Sequence, residues 1–84
     1  MEYLITFPTT HNMLKGEAVL KEQEIPFRSM PLPASLGDSC GFCLRLWENE
    51  LEDGLCAMKH NQVQINDVYT IENTDGKRVY LKCT

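Results

Sequence analysis

Apolar and polar positions change period several times along the chain, and each change marks an element. Residues 3–7 (YLITF) are β-branched and aromatic and stop at Pro8, which is the pattern of a buried strand. Beyond Pro8, Met13, Gly16 and Leu20 recur at helical spacing with charges on the other side. Thr9 or Thr10 stands where an N-cap belongs, so the spacing predicts a helix over about residues 10–23. Residues 25–30 (IPFRSM) suit a second strand ended by Pro31 and Pro33, and the Pro, Ser and Gly of residues 31–39 make a loop across one edge of the domain. Phe42, Leu44 and Leu46 then alternate with Cys43, Arg45 and Trp47. That period predicts a half-buried strand with one face toward the core and a thiol and a guanidinium on the other. Residues 48–61 fit a second helix, acidic in its first turns and ending in Lys59 and His60, favourable at both poles of its dipole. Residues 68–72 and 77–81 flank Asp75-Gly76, a hairpin signal.

The order β-α-β-β-α-β with a terminal hairpin predicts an α+β sandwich of the ferredoxin-like kind, an antiparallel sheet with two helices on one face. In that topology the end of the first strand, the start of the first helix and the start of the third strand share one edge. The segments PTTH and SCG should therefore meet, although they are far apart in sequence.

Composition narrows the functional classes. A length of 84 residues with 43% apolar and 24% charged residues supports a single domain over residues 1–84 and excludes a separate cofactor-binding unit. The net charge of -4 and the lack of any basic cluster argue against a nucleic-acid surface. Neither a signal peptide nor a membrane span is legible, so the expected compartment is the cytoplasm. Four cysteines in a reducing compartment are more often reactive or metal-binding than paired.

With YLITFPTTH at residues 3–11, the helix LKGEAVLKEQEIPF and the junction PLPASLGDSCGFCLRL in view, the chain resembles the Se/S carrier protein-like family over about residues 3–71. The entry strand-Phe-Pro-Thr-Thr-His and the Ser-Cys-Gly turn carry the likeness. Two departures stand out. Ala34 and Ser35 occupy a stretch where the family often has a base, and Cys43 stands where a small residue such as Ala is more usual. The resemblance implies a single-cysteine carrier centred on Cys40 rather than an autonomous enzyme. By analogy its donor would be a cysteine desulfurase or selenocysteine lyase, and its acceptor a sulfur- or selenium-using enzyme.

Such a carrier needs an accessible thiolate that holds sulfur or selenium as a persulfide or perselenide and passes it on. Gly41 permits backbone approach beside Cys40, Ser39 offers a hydroxyl, and the helix start at Thr9, Thr10 and His11 supplies N–H groups for an anion. No resident cofactor is expected. Three other readings stay open. Cys40 can be a small residue at a tight junction, with Thr9 and Thr10 only capping the helix. Cys40 and Cys43 form a CxxC that could act as a dithiol, with Arg45 stabilising either thiolate. Finally, Cys40, Cys43, Cys56 and His60 match the spacing of a zinc site, with Cys56 and His60 one helical turn apart. In that zinc spacing Asp53 replaces the expected leucine and residues 48–53 are acidic, which excludes a nucleic-acid-reading finger. The sheet could also serve for homodimerisation.

Overall fold

A computed structural model describes residues 1–36 and 41–83. Along the chain lie β1 (Glu2–Thr6), α1 (Thr10–Glu22), β2 (Arg28–Pro31), a 3-10 turn (Ala34–Leu36), β3 (Phe42–Trp47), α2 (Glu48–His60), β4 (Val68–Thr74) and β5 (Lys77–Cys83). The five strands form one sheet in the order β2-β3-β1-β4-β5, and every neighbouring pair is antiparallel. This is the expected ferredoxin-like α+β arrangement, with β5 added beyond β4 by the hairpin.

Both helices pack on the face that Ile5, Leu44 and Leu46 present. These residues join Phe7, Met13, Val19, Leu20, Met58 and Val63 in one core. Burying each large apolar side chain contributes roughly 1.5–3 kcal/mol. Two glycines let the layers close. A Cβ at Gly16 would lie 3.1 Å from the Phe7 ring, and one at Gly54 only 2.7 Å from Leu46 Cδ2.

The helix ends explain the largest boundary shift, that of β2. Glu24 and Gln62 adopt the left-handed conformation, with φ of 57° and 60°. Ile25 N then donates to Leu20 O and Glu24 N to Lys21 O, while Val63 N donates to Met58 O and Gln62 N to Lys59 O. Both helices thus end in a Schellman motif built without glycine, and each apolar residue after the turn returns to the core. Because Ile25 closes α1, β2 starts at Arg28 rather than at Ile25, and as an edge strand it accommodates Pro31, which has no N–H to offer. The Asp75-Gly76 turn forms as predicted, with both residues at positive φ, 51° and 75°, and Thr74 facing Lys77.

The face opposite the helices departs from expectation at one position. Cys43 was expected on the solvent side of β3, yet it is fully buried, as is Leu4 on the same face, with Thr6 almost so. Phe42, expected to point inward, sits at the strand's first position and is 47% exposed.

Candidate functional site

The site is built where β1 ends. Thr6 is the last residue of that strand, and its Cα partner across the ladder is Cys43. Its backbone N–H donates to Asp67 O at 2.8 Å and its carbonyl accepts from Asn66 N at 2.7 Å. Its hydroxyl donates to Asp67 O at 3.2 Å and accepts from Asp67 N at 3.0 Å. Four hydrogen bonds from one buried residue therefore fasten the segment before β4 to the end of the central strand. A β-branched polar residue inside an apolar strand was the available signal for this role, since a buried hydroxyl requires partners.

Pro8 and Thr9 then turn the chain into α1. Thr9 is the N-cap; its Oγ1 accepts from Asn12 N at 3.2 Å and from Asn12 Nδ2 at 3.1 Å. Asn12 Oδ1 in turn accepts from Gln64 N at 3.0 Å, and Lys15 Nζ reaches Gln62 O at 3.4 Å. The first turn of α1 is thus held by its own cap and by the segment that follows α2. Thr10 and His11 are exposed beside it. A helix start in this setting presents N–H groups and the positive end of the dipole to any anion that approaches.

The turn that precedes β3 reaches the same end of the sheet. Gly41 has φ of 83°, a conformation that L side chains rarely adopt, and among the described residues nothing beyond its chain neighbours lies within 4 Å of where its Cβ would be. Its carbonyl accepts from Leu32 N at 3.0 Å, and Pro31 pairs with Phe42, so the two ends of the loop after β2 are pinned together. The described parts of both segments lie at one end of the sheet: Thr6, after which the chain turns into α1, pairs with Cys43, two residues beyond Gly41. Ser39 and Cys40 lie outside the described residues.

Other predicted site residues are placed elsewhere. The Cys43 Sγ is directed at the carbonyls of Met30 and Pro31, at 3.8 and 4.0 Å, beneath the surface of the sheet rather than toward solvent. Arg45 shares that face, but its Nε bonds to Glu2 Oε2, and Glu2 pairs with Trp47 at the opposite end of the strands. The guanidinium is therefore drawn away from the cysteine turn. Cys56 and His60 are exposed on α2, in a hollow also lined by Asp53, whereas Cys43 faces the other side of the sheet. Among the described residues no group of three or more His, Cys, Asp or Glu side chains is placed to hold a metal.

These observations define a small α+β domain that brings a helix start and a glycine turn to one end of an antiparallel sheet. The chain belongs to the family described as Putative Se/S carrier protein-like, which it matches over residues 2–70, a span that takes in both converging segments and stops inside β4. No curated protein and no solved structure matches it. Among the described residues no helix is long and apolar enough to cross a membrane.

Proposed function

We propose that the protein carries sulfur or selenium on Cys40, receiving it from a donor enzyme such as a cysteine desulfurase or selenocysteine lyase and delivering it to an acceptor. The observation that supports this reading is the shared edge. Gly41, which follows the cysteine in the chain, and the N-terminal turn of α1 lie at one end of the sheet, and the family match spans both.

In the transfer, the Cys40 thiolate attacks the terminal sulfur of a donor persulfide. A new S–S bond forms as the donor's own S–S bond breaks, and the donor cysteine leaves as a thiolate. No oxidant is consumed, because the mobile sulfur keeps its oxidation state; a perselenide transfers selenium in the same way. A glycine after the cysteine adds no side chain to hinder a partner's approach, and the helix start favours the anionic persulfide. Thr10 and His11 are exposed at the helix start, from which further donors would come. A dithiol mechanism would need Cys43 as the thiolate that resolves an adduct on Cys40, and its full burial disfavours that role.

Intact-mass spectrometry after incubation with a cysteine desulfurase and cysteine tests the reading. The wild type should gain the mass of one sulfur, lost on reduction, and Cys40→Ser should gain none. An unchanged adduct in that variant would refute the assignment.

A further inference from the structure

The helix-free face of the sheet carries a charge opposite to that of the molecule. Cross-strand register places Arg28, Arg45, Arg78 and Lys82 on it. The carboxylates beside them are Glu2, bonded to Arg45, and Asp67, 3.2 Å from Lys82. Among the described residues, four cations against two carboxylates make this face +2 in a chain whose net charge is -4, which leaves -6 for everything else. Much of that negative charge is Glu48, Glu50, Glu52 and Asp53 on α2, in the opposite layer.

The same face is apolar between its charges. Trp47, the only tryptophan, is 59% exposed, and Tyr69, Ile71 and Tyr80 are half-buried on neighbouring strands. At one corner Glu2, Arg28, Arg45 and Trp47 of this face, with Phe27 at its edge, line an open hollow of about 280 Å³. Arg28 and Arg45 face each other directly across the ladder, and like charges so placed repel unless an anion sits between them. Glu2 answers Arg45, while Arg28 has no ion-pair partner among the described residues. Tryptophan and arginine around a hollow, with tyrosines on neighbouring strands, are the residue types on which protein interfaces concentrate their binding energy.

We propose that this sheet face docks a partner protein through an acidic patch that surrounds an aromatic or aliphatic side chain, with the apolar group seated beside Trp47 and a carboxylate taken by Arg28. Five strands spaced about 4.8 Å apart, each advancing about 3.3 Å per residue, offer a patch of roughly 24 by 20 Å. That extent suits the small end of protein interfaces, where contacts form and dissolve quickly, and unbalanced charge raises the encounter rate. Other occupants fit less well. A second copy in two-fold symmetry would set basic face against basic face, and basic face against α2 would build an open head-to-tail chain. Nucleic acid and anionic membranes draw their affinity from many neutralised phosphates, and with Arg45 and Lys82 already paired only Arg28 and Arg78 are left to supply them. The inference rests on the sheet face alone and not on the chemistry at Cys40.

The test uses a tryptophan-free peptide, acetyl-Glu-Phe-Asp-Glu-Phe-Glu-amide, so that Trp47 fluorescence reports binding directly, with backbone amide shifts to map it. The expected result is a saturable change, weakened by added salt, with shifts confined to the open face. Arg28→Glu with Arg78→Glu should weaken binding by about tenfold. Trp47→Ala should remove the amide shifts around the hollow, and Cys40→Ser should bind as the wild type does. Shifts mapping to the helix layer, equal affinity in the charge-reversed variant, or tighter binding to phosphatidylserine vesicles or polyuridylate than to the peptide would each overturn the proposal. None of these outcomes bears on persulfide transfer, whose own test is the mass gain at Cys40.

Discussion

The two faces of the sheet solve different problems. The helix side is closed by shape: Ile5, Phe7, Leu44 and Leu46 meet Met13, Leu20 and Met58, and two glycines remove the side chains that would hold the layers apart. The opposite side has no helix over it and is organised by polar groups. Thr6 is tied to Asp67, Glu2 to Arg45 and Lys82 to Asp67, while Leu4 is buried between Arg45 and Tyr69, the long residues paired with it on either side. Stability therefore resides mostly in one face, and the surface available to other molecules is on the other.

Substitutions sharpen that contrast, and the largest effect belongs to the helix side. Phe7→Ala should cost about 3–5 kcal/mol in chemical denaturation, because the ring is fully buried and the surrounding helices can collapse only in part. Thr6→Val keeps the shape but leaves the Asp67 N–H without the hydroxyl that accepts it. A loss of about 1–3 kcal/mol is expected, together with faster hydrogen exchange at Asn66 and Asp67; unchanged exchange would show that the clamp is not structural. Thr9→Ala should cost about 1 kcal/mol and fray α1 from its first turn, seen as reduced helicity on heating. Gln62→Gly should be neutral to stabilising by up to ~1 kcal/mol, because glycine occupies the left-handed position without the strain of a side chain. Trp47→Ala, on the open face, should leave the denaturation midpoint almost unchanged, within about 0.5 kcal/mol.

Much of the fold was legible because its signals are local. Thr9 capping a run of helical period, the alternation of Leu44 and Leu46, and Asp75-Gly76 between two β-branched runs each specify an element from a few neighbours. The order of those elements then implied that the start of α1 and the turn before β3 share an edge. What could not be read depends on groups distant in sequence. Ile25 looks like strand because its neighbours are apolar, but its N–H is taken by Leu20 O once Glu24 turns left-handed. Cys43 alternates correctly yet is buried, because alternation assigns a face and says nothing about whether that face meets water at a given position. Arg45 was expected to serve a thiolate, and it answers Glu2, whose proximity arises only when β1 pairs with β3. Nothing in the local sequence of Arg28, Arg78 and Lys82 gathers them onto one face; the register does.

The place of β1 in the sheet also orders events during synthesis. It is made before the other four strands of the sheet and is the central one when the sheet is complete, bonded to β3 on one side and β4 on the other. Leu4 and Ile5 are therefore made before either partner, and β1 is fully paired only once β3 and β4 have followed it. Pairings so distant in sequence also slow the refolding of the released chain, since the loops they close must be ordered first.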